Sequence, residues 1–150
     1  MDKPSLTPEF QAFLSLLNEN RVRFLVVGGY AVGFHGHVRY TKDIDLWIDS
    51  SENNAERQRD CIQTFFGNSP SIEQLMNPRL LLRIGAVPTQ IELMTQIDGV
   101  SFDACFNRKK ELALGELTIP YLSLHDLRQN KRASGRPQYL ADLDNLPTEE

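Results

Sequence analysis

Phe24-Leu25-Val26-Val27-Gly28-Gly29, followed by Asp43-Ile44-Asp45-Leu46-Trp47-Ile48, is the stretch on which the reading of this chain turns. The apolar run from Phe24 to Val27 stops at paired glycines, which predicts a buried strand feeding a tight turn. Residues Asp43 to Asp49 predict a second strand with strict alternation. Ile44, Leu46 and Ile48 then enter the core, and Asp43 and Asp45 share the opposite face. Their Cα atoms would stand about 7 Å apart, so both carboxylates can converge on the same metal ions. Like charges this close are unfavourable unless a cation neutralises them. Mg²⁺ suits such donors, because it prefers carboxylate, water and phosphate oxygens and leaves room for a nucleoside triphosphate. Two Mg²⁺ ions, or Mn²⁺ in their place, would activate an attacking oxygen and stabilise a departing pyrophosphate. Gly28 and Gly29 allow close approach of the backbone to a phosphate. A short helix over Tyr30 to Phe34 would add free N–H groups and a favourable dipole.

Each half of this pattern alone is weak. A Gly-Gly pair is usually a turn, and an Asp-x-Asp is often a solvated strand face, as Asp49 illustrates. The glycines do not spell the dinucleotide-binding G-x-G-x-x-G, and no Gly-Lys-Ser/Thr makes a P-loop. The combination carries the weight.

The rest of the chain frames the motif. Its 150 residues, 41% hydrophobic and 24% charged, have the length and composition of one soluble globular domain spanning 1–150. Sixteen basic against twenty acidic residues give a net charge of −4, so contact with RNA would need a local patch. Arg128, Arg132 and Arg136 are candidates for it. Cys61 and Cys105 match no metal spacing and predict a reduced, cytoplasmic pair. No apolar run reaches the length of a membrane span, so no membrane contact is expected.

Helical spacing predicts a first helix capped by Thr7 with Pro8 at its start, and a long one from Ser51 to Phe66. Leu80–Ile84 with Gln90–Thr95 predict a hairpin, and Leu112–Leu114 with Leu117–Tyr121 a second small hairpin or a bulged strand. A helix capped by Ser123 should stop at Gly135, and Leu140, Leu143 and Leu146 should line a last one. The fold class is α+β, a small mixed sheet flanked by helices.

From Gly28-Gly29 to Asp43-x-Asp45 the chain resembles the polymerase-β-like nucleotidyltransferase superfamily. Further stretches, Leu82-Arg-Ile-Gly-Ala-Val-Pro-Thr-Gln-Ile-Glu-Leu-Met-Thr, Ile97-Asp-Gly-Val-Ser-Phe and Asn130-Lys-Arg-Ala-Ser-Gly-Arg-Pro, resemble minimal bacterial nucleotidyltransferases related to AbiEii-type toxins. The resemblance covers roughly residues 20 to 146. It implies a Mg²⁺-dependent enzyme that moves a nucleoside monophosphate from an NTP to a macromolecule such as tRNA or a protein, with a cognate toxin or antitoxin partner. It also implies a third acid, Glu92, where relatives more often carry Asp, beside the metal ligands Asp43 and Asp45. Arg39 and Thr41 match an Arg-x-Thr of relatives, and Lys131 would reach the triphosphate alongside Gly28 and Gly29. Asp98, before Gly99, is a weaker third acid because it fits a turn. Tyr139 stands where relatives carry an acid. A second reading, a degenerate module that binds nucleotide or a partner without catalysis, stays open. His35-Gly36-His37 reads as structural rather than as a metal site, and Trp47 as core packing.

Overall fold

The computed structural model describes residues 6–37, 43–86 and 89–147; Arg39 and Thr41 lie outside them. Thr7 accepts a hydrogen bond from the Phe10 amide, and Pro8 needs no amide partner at the first turn, so α1 runs Pro8–Glu19. It buries Phe10, Phe13, Leu14 and Leu17. Strand β1 is Phe24–Val27, buried at all four residues. Helix α2, Gly28–Phe34, starts at the paired glycines themselves. Strand β2 is Ile44–Ile48, and α3 is Glu52–Phe66. Ser51 takes the extended conformation of an N-cap, yet its hydroxyl donates to Asp49 instead of capping α3.

Helix α4 is one turn, Ile72–Leu75, closed by a capping box between Ser71 and Gln74. The first hairpin joins β3, Leu81–Ala86, to β4, Thr89–Met94. Helix α5, Phe102–Asn107, follows, and β5, Lys110–Leu114, pairs with β6, Leu117–Tyr121, as the second hairpin. Helix α6, Leu124–Ser134, is capped by Ser123 and stops at Gly135 in the left-handed region. Helix α7 is Pro137–Asn145.

The strands form a mixed sheet ordered β3-β4-β2-β1-β6-β5. β1 lies antiparallel to β2 and parallel to β6, and β2 lies parallel to β4. Alternation then sorts side chains onto two cores. Ile44, Leu46, Ile48, Ile91 and Leu93 pack with α1 and α3 on one face. Leu25, Val27, Trp47 and Met94 meet Cys105 of α5 and Leu127 of α6 on the other. This is the α+β architecture expected from the sequence, with both hairpins in place.

Two features go beyond the sequence reading, and one expectation, for the last helix, needs correction. Helix α3 buries Asn54 and Gln58 as well as its apolar residues. Asn54 is drawn in because it satisfies the backbone of Arg23 and Asp49 with three hydrogen bonds. Residues 102–107 form a helix that the sequence reading leaves unassigned; six residues are too few to show a period, although Phe102, Cys105 and Phe106 fall at helical spacing. Leu140 of α7 is 46% exposed, and Asp142 is buried in that helix instead. Its carboxylate lies 3.4 Å from the buried ammonium of Lys131, so the inward face of α7 is set by an ion pair rather than by leucine periodicity. Among the described residues no helix is long and apolar enough to cross a membrane.

Candidate active site

The sheet register builds the site. Asp45 is the Cα partner of Val27 on β1 and of Glu92 on β4, and Glu92 is the partner of Arg83 on β3. Four adjacent strands therefore carry the row Arg83, Glu92, Asp45, Val27. Residues in one row of a sheet project to the same face, and Asp43, two residues from Asp45, projects there as well. The sequence could show that Asp43 and Asp45 share a face. That Glu92 stands directly beside Asp45 follows from the parallel pairing of β2 with β4.

Gly28 closes the side of this row nearest β1. Its φ is +65°, and a Cβ there would collide with the Asp45 carboxylate. The chain thus needs glycine twice over, for the left-handed turn into α2 and for the space Asp45 fills. Gly29 lies in the first turn of α2 and is buried.

The carboxylates are bridged by a residue the sequence reading did not single out. Arg83 places Nε 3.4 Å from Asp43 Oδ2 and Nη2 3.2 Å from Glu92 Oε2. Its signal was modest: an arginine between Leu82 and Ile84 on a predicted strand, hence on the face opposite their side chains. The other Asp43 oxygen, Oδ1, is buried and has no hydrogen-bond partner among the described residues. That orphaned acceptor, and the hard oxygen donors around it, fit a divalent cation in kind. As the side chains stand, however, the described residues contain no group of three His, Cys, Asp or Glu that could hold a metal ion.

A cavity of about 180 Å³ opens beside the row. Gly28, Asp45 and Glu92 line one part of its wall, and Arg79, Arg136 and Tyr139 another. Asp45 and Glu92 thus share a cleft with Arg79 and Arg136. Asp98 also lines it, from a turn whose carbonyl accepts a hydrogen bond from Asn130 Nδ2 at 2.9 Å.

Lys131 is placed differently from a residue that simply points into the cleft. It is fully buried, paired with Asp142, and its Nζ lies 3.5 Å from the centre of the Tyr139 ring. Tyr139 lines the cleft and is also a cation–π partner of this buried lysine. Arg136 lies 5.3 Å from the same ring. The basic patch divides: Arg136 reaches the cleft, whereas Arg128 donates to the Leu143 and Pro147 carbonyls and fastens α7 to α6.

His35, Trp47 and the two cysteines are held in packing contacts. His35 Nε2 lies 2.7 Å from the Leu122 carbonyl oxygen, and its ring packs against Tyr121. Trp47 is buried edge-on to Phe102 at 5.2 Å. Cys61 and Cys105 are free and buried, and burial pushes their thiols up to about 11 and about 12, which leaves neither a thiolate nucleophile near neutral pH.

Residues 7–148 match the family described as "Nucleotidyl transferase of unknown function (DUF2204)". No curated protein matches the chain. Among solved structures it is similar to a Thermotoga maritima protein described as a "putative nucleotidyltransferase", whose crystal structure was determined at 1.87 Å. That likeness has a TM-score of 0.61 and 18% sequence identity, and covers 94% of both chains. At such identity it speaks for the fold.

Proposed function

Because the chain belongs to this nucleotidyl transferase family, we propose that it transfers a nucleoside monophosphate from an NTP to an RNA or protein acceptor, with Mg²⁺ as cofactor. The observation that carries this reading is the in-register pairing of Asp45 with Glu92, with Asp43 on the same side and Gly28 packed against Asp45. Asp43, Asp45 and Glu92 would hold the metal, which when bound neutralises the carboxylates and the charge developing on the phosphoryl oxygens. Gly28 and Gly29 bring backbone close to the phosphates. The acceptor hydroxyl oxygen bonds to the α-phosphorus while the bond from that phosphorus to the β-bridging oxygen breaks. Pyrophosphate leaves with the electron pair, and the hydroxyl proton passes to Glu92 and then to water. Such chemistry asks for positioning and charge neutralisation more than for a covalent intermediate, which suits three acids beside a glycine turn.

An AbiEii-type role beside a cognate toxin or antitoxin, in the cytoplasm, with tRNA as one acceptor, extends the reading. The sequence resemblance supports that extension. Incubation with each labelled NTP, Mg²⁺ and a cell lysate should move label into one macromolecule, and Asp45→Asn should abolish the transfer. Full transfer by that variant would overturn the assignment.

The second reading, nucleotide or partner binding without catalysis, has one observation in its favour. Arg83 already neutralises two of the acids. Mg²⁺-dependent NTP binding with no labelled product from RNA or protein acceptors would establish it.

A further inference from the structure

Arg83 lies on β3, the edge strand of the sheet, and its side chain is 57% exposed. Its guanidinium does not grip one carboxylate as a fork. It spans two, with one nitrogen toward Asp43 Oδ2 and another toward Glu92 Oε2. A bidentate pair would be stronger and more directional; two single contacts on an exposed arginine are weak and easily exchanged. The carboxylates it spans are the same ones assigned to the metal, and the guanidinium contacts one oxygen of each. A divalent ion on those oxygens would be repelled by a guanidinium at the same distance. On those two oxygens the metal and the guanidinium compete, while Asp43 Oδ1, which has no hydrogen-bond partner among the described residues, stays available to a cation.

We propose that Arg83 is the resident counter-cation of the carboxylate cluster: it holds Asp43 and Glu92 in the metal-free protein and leaves them when a divalent cation binds. The proposal rests on the reading of the cluster as a metal site. It explains why three acids can stand on adjacent strands without a metal, since like charges so close need a positive neighbour. It also explains why they form no ready three-donor group with Arg83 in place. Among the described residues no strand flanks β3 on its outer side, so the long side chain can leave without breaking a sheet contact. Once released, its planar fork matches phosphate oxygens, which makes Arg83 a positioning residue in both states.

The test measures metal binding without nucleotide or turnover. Mn²⁺ titrations followed by electron paramagnetic resonance compare the wild-type chain with Arg83→Gln, Arg83→Lys and Asp45→Asn. Arg83→Gln should bind Mn²⁺ roughly tenfold more tightly, the effect of removing one positive charge beside a dication in a water-like dielectric. Arg83→Lys, which keeps the charge, should stay near wild type. In the wild-type protein, the Arg83 Nε–H resonance should shift and exchange faster with water as Mg²⁺ is added. Equal or weaker Mn²⁺ binding by Arg83→Gln, or an Arg83 resonance unmoved at saturating Mg²⁺, overturns the proposal and leaves the metal site standing. Absence of Mn²⁺ binding from every variant, or binding indifferent to Asp45→Asn, overturns the metal reading and this proposal with it.

Discussion

Two of the places where carboxylate meets guanidinium in this protein are built in opposite ways. Around Asp126, a 1% exposed carboxylate receives both Nε and Nη2 of Arg108, at 3.1 and 2.8 Å, and the Ser123 hydroxyl at 3.1 Å. Burial alone would raise its carboxyl. Hydrogen bonds from Arg108, Ser123 and Cys105 outweigh that and hold it below its ordinary value of 3.8. Around Asp43 and Glu92, one exposed arginine spans two acids at 3.4 and 3.2 Å, and a buried oxygen of Asp43 has no hydrogen-bond partner among the described residues. The first cluster is satisfied and caps a helix. The second is under-satisfied at Asp43 and lines a cleft through Glu92. A pair that holds a fold together fills its hydrogen-bonding capacity, whereas the proposed metal role of the second cluster calls for capacity kept in reserve.

Matched substitutions break or sharpen this contrast. Asp45→Asn should lower transfer by at least about a hundredfold, the scale of losing a principal electrostatic contact in a transition state. Its Tm should be unchanged or slightly raised, because a like charge is removed. An equal loss of Tm would place Asp45 with the structural cluster. Lys131→Met should do the reverse by leaving Asp142 buried without its cation. The expected loss is about 3 kcal/mol, or roughly 10 °C in Tm. If Lys131 instead acts chiefly on the triphosphate, KM for the NTP should rise while Tm holds.

Asp126→Asn should cost about 2 kcal/mol through its charge-assisted hydrogen bonds, with kcat little affected. The sign of its pH dependence is set by its lowered folded-state pKa. Stability from Asp126 is fully present above the unfolded value and is lost as pH falls through the folded one. The gap between wild type and Asp126→Asn, measured by denaturant titration, should therefore be full at neutral pH and shrink below about pH 4. A gap that widens in acid would contradict it. Gly28→Ala should cost about 1–2 kcal/mol for the left-handed backbone and should also lower transfer by displacing Asp45. Gly115→Ala has φ +61° but open space around it, so it should show only the backbone part, about 1 kcal/mol, with full activity.

Much of this molecule is legible from local chemistry. Phe24–Val27 is a strand because it is a short, continuous apolar run ended by glycine. Thr7-Pro8 and Ser123 start helices where free amides need a cap, and Gly135 ends one where φ turns positive. The alternation of Asp43, Ile44, Asp45, Leu46 put both acids on one face before any tertiary contact was known. Periodicity failed where a polar partner outbid it. Leu140 fits the helical period yet faces solvent, because Asp142 must turn inward to meet Lys131.

What the sequence by itself determined was the identity of the strands and caps, the shared face of Asp43 and Asp45, and the need for glycine after Val27. All of these depend on neighbours within a few residues, whose geometry the backbone fixes. Only the tertiary structure decided that Glu92 stands beside Asp45, that Arg83 spans Asp43 and Glu92, and that Tyr139 packs on Lys131 while lining the cleft. Those depend on which strands pair and in what register, which residues far apart in the chain settle together when the sheet closes over its two cores.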